Sequence, residues 1–412
     1  MEIKKERLEH DLRQIANWGR LENGGVTRLA FTQEDLKARE YLVETMKSLG
    51  LEIHIDGFGN IRGRRRGKYD LPPVMMGSHL DTVPNGGNYD GVVGVIAGLE
   101  VIRVLNDNNV ETQRPIDVVN FSCEESSRFR VSTIGSKVMV GKFTKEELHA
   151  AVDKDGVTLF EALKDSGYNP ENLEKALIAP GDIYAFIELH IEQGPVLEEE
   201  GLQVGIVTAI AAPTRIKAVI EGRADHSGST PMSLRRDALA GASELILGVE
   251  RIAAQEAGKD TVGTVGFVYV EPGAMNVIPG RVELGIDIRD INGEDKKDAV
   301  SKVLNLIGEI QAKRELRINY EILADEMPVQ LSGKIIDCLQ RQAHDSQIRY
   351  KLMASGAGHD AMYMTNITHV GMIFVPSAGG VSHNIAEFTH LDDIVLGTNL
   401  LLKAVIELSQ EM

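Results

Sequence analysis

One stretch, GSHLDTVPNGGNYDGVVG (residues 77–94), limits what this chain can fold into more than any other. It joins two kinds of hydrophobic periodicity. Residues 73–78 form a short apolar run of strand length, and after it Val92, Val93, Val95, Ile96, Leu99 and Ile102 recur at helical spacing. The expected geometry is strand, loop, helix. His79 then stands at the strand exit and Asp90 at the helix start, with Gly86, Gly87 and Gly91 letting the backbone turn tightly between them. A neutral imidazole and carboxylates held in one loop suit a divalent transition metal. The plainer reading makes Asp90 a helix N-cap and His79 a satisfied buried histidine.

The 412 residues suffice for two or three domains. A formal charge of −17 argues against nucleic acid or an anionic membrane as partner, since both require a basic face. The one basic run, IRGRRRGK (61–68), reads as a solvated hairpin turn. Two cysteines far apart, Cys123 and Cys338, exclude a disulfide framework and fit a reducing cytoplasm. The first residues, MEIKKERLEHDL, lack the apolar centre of a signal peptide, and no apolar run reaches the roughly 18 residues of a membrane span.

Residues 1–50 carry helical periodicity. Strands expected at 51–55, 73–78, 116–122 and 184–191 alternate with helices, which implies an α/β fold with a mixed, mostly parallel sheet covered on both faces. The pattern changes near Pro213: strand 215–221, helix 234–257, strands 262–270 and 282–289, helix 294–314, strand 316–323. That is the ferredoxin-like order β-α-β-β-α-β. Helix 332–345, strand 371–375 and a helix from Asp392 then resume the first style. The economical division is one domain of residues 1–212 and 328–412 interrupted by an inserted domain, 213–327.

Further chemistry gathers at strand ends. FSCEESSRF (121–129) puts Glu124 and Glu125 just past a buried strand, where neighbours point to opposite sides; the alternative is an exposed acidic turn. ELHIEQGPVLE (188–198) supplies His190, Glu192 and Gln193, although a lone strand histidine is more often structural. FVPSAGGVSHNIAEF (374–388) ends another strand and delivers His383. All share one address, the carboxyl end of sheet strands, where open α/β folds place ligands.

Taken together, H-x-D, N-Y-D-G, the Glu-Glu pair, L-H-I-E-Q-G and the late S-H-N resemble the binuclear-metal amidohydrolases related to aminoacylases and di-zinc peptidases. The branch resembled acts on ureido compounds: N-carbamoyl-L-amino-acid hydrolases, β-ureidopropionases and allantoate amidohydrolases. His190, where the peptidases usually carry aspartate, points to that branch. The resemblance implies two divalent ions (zinc, manganese, cobalt or nickel) bridged by Asp90, with His79 and His190 on one and Glu125 and His383 on the other. It implies Glu124 as general base and Asp81 as the group orienting His79 through its other ring nitrogen.

The inserted domain presents His226 in a Ser/Gly-rich turn, Asn276 in another turn and Arg289 at a strand end. An arginine can grip a carboxylate in bidentate fashion, and a histidine or asparagine can stabilise an oxyanion. The plainer alternatives are a salt bridge of Arg289 with Asp287 or Asp290, and a capping role for His226. The resemblance makes these groups, with Gln193, substrate contacts, and takes the histidine from the partner subunit of a homodimer joined through the inserted lid domain. In SGAGHDAM (355–362), Gly358 is expected to admit substrate close to the backbone and His359 to be structural. This loop and FVPSAGGVSHN look closer to allantoate amidohydrolases, which would give the chain a place in purine catabolism. N-carbamoyl-L-amino acids are the alternative substrates. An aminopeptidase or deacylase, or a metal-dependent binding protein without catalysis, is a further alternative.

Overall fold

The computed structural model describes residues 1–412, and the chain divides into two compact units: residues 1–208 with 331–412, and residues 209–330. The division falls inside the strand Val204–Ile210, not after it, so the inserted unit starts four residues earlier and ends three later than the sequence pattern predicts.

The discontinuous unit is built on a nine-stranded mixed sheet. Its centre is four parallel strands side by side: Ile116–Phe121, Val74–His79, Ala185–Ile191 and His369–Val375. Every residue of the first three is buried, as strands covered on both faces require. The flanking strands pair antiparallel. The helix Val92–Asp107 follows directly on the 77–94 loop and is buried along almost its whole length. The last helix, Leu391–Gln410, packs into the same core through residues such as Leu400, Leu401 and Val405.

The basic run at 61–68 is not a solvated turn. Ile61–Arg65 is a strand, paired with Glu52–Ile55 on one side and Ile116–Phe121 on the other. The cause is a buried carboxylate: Asp117 is fully buried, and Arg64 reaches it with two hydrogen bonds of 2.8 Å. A buried charge needs such a partner, and the planar arginine fork supplies it. The strands Val204–Ile210 and Tyr350–Ser355 have no counterpart in the sequence reading.

In the inserted unit, strands Ala212–Glu221, Val262–Glu271, Arg281–Asp290 and Arg317–Asp325 form one antiparallel sheet, in the spatial order fourth, first, third, second. The helices Ala238–Arg251 and Gly293–Arg314 pack on it. Along Arg281–Asp290 burial alternates, and Val282, Leu284, Ile286 and Ile288 enter the core. The first helix is shorter than its hydrophobic pattern predicts. Asp237 starts it by accepting the N–H groups of Leu239 and Ala240, and after Arg251 it widens into a π-turn.

Candidate metal centre

The parallel strands bring their carboxyl ends to one edge. His79 is the last residue of its strand, His190 the last but one of its own, and Glu124 and Glu125 come three and four residues after Phe121. Asp90 lies two residues before the helix Val92–Asp107, and His383 lies in the loop after Val375. Sheet topology therefore assembles groups that are hundreds of residues apart in the chain.

Asp90 is the centre of the arrangement. Its Oδ1 lies 3.0 Å from His190 Nε2 and 3.8 Å from His79 Nε2. Its Oδ2 lies 2.9 Å from His383 Nε2, which in turn is 3.3 Å from Glu125 Oε1. One carboxylate thus faces two separate donor groups. Glu124 Oε2 stands 3.8 Å from His79 Nε2. The imidazoles are oriented by main-chain carbonyls: His79 Nδ1 donates to Asp81 O and His190 Nδ1 to Ile191 O, each at 2.9 Å. With Nδ1 so engaged, Nε2 is the ring nitrogen that each histidine turns toward Asp90.

The backbone is fitted to this packing. Gly91 has φ +67°, and a Cβ there would stand 2.4 Å from the His79 ring. Gln193 and His383 also adopt left-handed φ, +59° and +54°. Non-glycine residues are uncommon in that region and recur at functional sites.

Asp81 corrects one expectation. It is the main-chain oxygen of Asp81, not the carboxylate, that holds His79. The carboxylate is 3.8 Å from Nδ1 and accepts the N–H groups of Glu124 (3.3 Å) and Glu125 (3.0 Å) instead. Those two amides leave the strand end without a ladder partner, so a buried carboxylate is the acceptor that satisfies them. Gln193 donates to Asp90 Oδ2 at 2.8 Å, and its Nε2 is 3.3 Å from Ser382 Oγ. His359 stacks edge-on against His190, with centroids 4.5 Å apart, and its Nε2 meets Ser355 Oγ at 2.9 Å. Glu192 accepts the N–H groups of Val196 and Leu197 and caps a short helix.

The residue that the sequence reading missed is Glu387. Its Oε1 accepts the N–H groups of Tyr89 (3.0 Å) and Asp90 (3.1 Å), and its Oε2 accepts from Ser382 Oγ (2.8 Å) and His383 N (3.3 Å). It ties the loop of one ligand to the loop of another. The only signal was its place four residues after His383 in SHNIAE.

Asp81, Asp90, Glu124 and Glu125 are all buried. Burial, together with the charges of Glu125, Asp360, Asp81 and Asp90, pushes the Glu124 carboxyl well above the usual carboxylate range. So many carboxylates in a low-dielectric pocket call for cations. The donor atoms of His79, Asp90 and His190 lie within 4.8 Å of one another, as do those of Asp90, Glu125 and His383. Imidazole nitrogens and carboxylate oxygens in these two sets fit divalent transition metals, with Asp90 common to both.

In the inserted unit, His226 and Asn276 come together: His226 pairs with Val277 across a short antiparallel bridge, and Ser227 N donates to Asn276 O. His226 is exposed and its Nδ1 accepts from the amides of Gly228 and Ser229 at 3.1 Å. Its capping role and a free Nε2–H donor therefore coexist. Arg289 forms the salt bridge that was the plainer alternative, holding Asp287 with bonds of 2.8 and 3.1 Å. Asp290 instead accepts from Thr261 Oγ1 and Asn292 N. Gly358 is exposed, and a Cβ on it would meet nothing within 4 Å, so no close packing requires a glycine there.

A sheet with ligand-bearing strand ends and a divided donor set defines a metal-dependent hydrolase class. The profile of Peptidase family M20/M25/M40 matches residues 75–407, and the chain belongs to that family. It is therefore a carbon–nitrogen hydrolase. It is 42% identical over 410 residues, 99% of both chains, to an N-carbamoyl-L-amino acid amidohydrolase of Geobacillus stearothermophilus. It is 34% identical over 408 residues, 98% of both, to the allantoate amidohydrolase of Escherichia coli (strain K12). Among solved structures, a hydantoinase/carbamoylase family amidase from Burkholderia multivorans matches with TM-score 0.92 and 36% identity, covering 100% of this chain and 99% of that one. No helix is long and apolar enough to cross a membrane.

Proposed function

We propose that the protein hydrolyses the ureido group, R-NH-CO-NH2, of a small carboxylate, with allantoate as the leading substrate and ureidoglycine, ammonia and carbon dioxide as products. The observation that carries the reading is Asp90 facing two donor sets with Glu124 beside them. Two divalent ions held there would polarise the ureido carbonyl and acidify a water. Glu124 takes the proton of the attacking water and delivers one to the leaving nitrogen. The carbamate released falls apart to carbon dioxide and ammonia.

Support for allantoate is the local likeness of SGAGHDAM and FVPSAGGVSHN to allantoate amidohydrolases. The loop from Pro376 to His383 touches the site, since Ser377 Oγ accepts from Gln193 N and Ser382 bonds to Gln193. The similarity to N-carbamoyl-L-amino acid amidohydrolases, 42% against 34% for the allantoate enzyme, favours N-carbamoyl-L-amino acids as the second reading. Arg289 is the proposed carboxylate grip and Gln193 and Asn276 the amide contacts.

The inserted unit is proposed as a ferredoxin-like lid and dimerisation module. Arg281 and Arg289 are eight residues apart on one strand, a span of roughly 27 Å at strand rise. The His226–Asn276 cluster adjoins the Arg281 end. One copy of the unit thus has difficulty presenting both ends to one small substrate, and a homodimer that exchanges His226 and Asn276 removes it. Val262 and Tyr269 stand exposed on the edge strand, and an edge of that kind invites pairing.

The test is a panel of allantoate, N-carbamoyl-leucine, N-carbamoyl-methionine and N-carbamoyl-β-alanine, read by ammonia release with added manganese or zinc. Allantoate should exceed the apolar N-carbamoyl amino acids by at least ~100-fold in kcat/KM, because a site built for polar groups is left unpaired by apolar ones. The reverse preference overturns allantoate and keeps the ureido chemistry.

A further inference from the structure

The loop that carries Asp81 and Asp90 is fastened from Leu80 to Asn88 by residues 12–28, a segment that supplies none of the candidate ligands. Val26 and Gly86 exchange both main-chain hydrogen bonds at 2.9 Å, and Thr82 N donates to Arg28 O at 2.9 Å. Side chains add three more bonds. Arg28 N donates to Thr82 Oγ1 at 2.9 Å, Asn85 N to Thr27 Oγ1 at 2.7 Å, and Asn88 Nδ2 to Leu12 O at 2.9 Å.

Arg28 makes the bonds nearest to the ligands. Its side chain is fully buried. Nε donates to Leu80 O at 2.7 Å, while Nη1 donates to Ile15 O at 2.9 Å and Trp18 O at 2.8 Å. Ile15 and Trp18 lie at the end of the first helix, Lys5–Asn17, where carbonyls lack intrahelical partners and a cation is favoured. Leu80 stands between His79 and Asp81. The main-chain oxygen of Asp81 holds His79, and its carboxylate holds the N–H groups of Glu124 and Glu125. One guanidinium therefore joins a helix end to the turn from which three site residues are set. Arg39, the other fully enclosed arginine nearby, is paired with Asp35 at 2.7 Å. Arg28 has only carbonyls as partners, and its Nη2 has none. A cation is costly to bury on those terms.

We propose that Arg28 is a positioning residue for the metal centre. By holding the Leu80 carbonyl against the end of the first helix, it sets how the chain turns out of its strand after His79 and where Asp81 stands beside Glu124 and Glu125. The inference rests on the metal-centre reading above. A lysine keeps the charge but lacks the fork, so it cannot hold the helix end and Leu80 together.

The test compares Arg28→Lys and Arg28→Met with Arg114→Lys. Arg114 is also buried and also bonds two main-chain carbonyls, Pro72 O and Glu411 O, but Pro72 precedes the strand Val74–His79, at the end opposite His79. The full chain, stripped of metal by a chelator, is titrated with cobalt by calorimetry, and the visible absorption of the cobalt-saturated protein reports ligand geometry. Arg28→Lys should lower cobalt affinity ~10–100-fold, as loss of a ligand-orienting group does, and alter the spectrum at saturation. Arg28→Met should do so at least as strongly. Arg114→Lys should lower the melting temperature and leave affinity and spectrum as in the wild type. Thr27→Val removes only the acceptor of Asn85 N, at a half-buried position, and should cost ~5-fold in affinity, the effect of one hydrogen bond. It decides the matter if neither Arg28 variant melts cooperatively. Unchanged affinity and spectrum in folded Arg28→Lys, or in Thr27→Val where that variant decides, overturns the proposal and leaves the metal reading standing. Equal losses in Arg28→Lys and Arg114→Lys also overturn it, because the effect is then one of stability alone. Wild-type protein that binds no cobalt overturns the metal reading itself, and this inference with it.

Discussion

Glu387 Oε1 accepts the backbone N–H of Asp90 at 3.1 Å, and through its other oxygen the same side chain holds the backbone of His383. The shared carboxylate and the last imidazole are therefore positioned by one residue that belongs to neither donor set. Glu387→Ala should lower metal affinity ~10–100-fold, the usual effect of losing a group that orients ligands. Glu387→Gln should fall between, since its amide can accept on one side only. Metal titration by calorimetry decides it; unchanged affinity in the alanine variant would show that the loops hold themselves.

Removing Asp90 tests the centre directly. Asp90→Ala takes away the one group common to both donor sets, so bound metal and turnover should both disappear. Elemental analysis beside the ammonia assay reads this out, and full metal content with normal turnover would locate the chemistry elsewhere.

Glu124→Gln keeps the shape of the side chain and removes proton acceptance. At least ~100-fold should be lost in kcat, the lower range for general-base catalysis, with metal retained. Near-normal turnover would exclude Glu124 from proton transfer.

Metal loading should release protons. In the metal-free protein burial disfavours a charged His190, yet the hydrogen bond and charge of Asp90 outweigh it and hold its pKa up to about 9. Hydrogen bonds to Asp90 and Glu125 hold His383 up to about 11. Both are protonated at pH 7, and a cation needs their lone pairs, so loading expels their protons and affinity falls as pH drops. An indicator dye in weak buffer measures the release; proton-neutral loading at pH 7 would contradict the ligand assignment.

Subunit exchange tests the proposed composite site. Inactive His226→Ala and inactive Glu124→Gln chains, mixed under exchange conditions, should regain part of the activity, because one site then has both wild-type groups. No regain in proven heterodimers would assign His226 to its own subunit's site.

The sequence made the strand ends legible because buried parallel strands are continuous apolar runs and their carboxyl ends share an edge. His79, His190, His383 and the Glu124–Glu125 pair could be gathered at that edge, with Asp90 at the start of the following helix; the division of the two glutamates into ligand and base came from the family resemblance. Glu387 could not, because it acts by accepting backbone N–H groups, which leaves no pattern of residue types. The strand Ile61–Arg65 was hidden for a related reason: its arginines look solvated until Asp117, more than fifty residues away, is found buried beside them. Asp81 shows the finer limit. Its position was informative, but which of its oxygens faces His79 depends on a loop conformation that spacing does not encode.

The contact of Gly91 with the His79 ring changes what a signature of this site has to contain. A chain could carry each histidine and carboxylate in the right order and still be unable to draw them together if the residue after the aspartate had even a methyl group. The inventory of donors is thus incomplete without a hydrogen atom at this position. Searches or libraries that vary only the chemically active letters would keep the vocabulary of the centre while losing the space in which it closes.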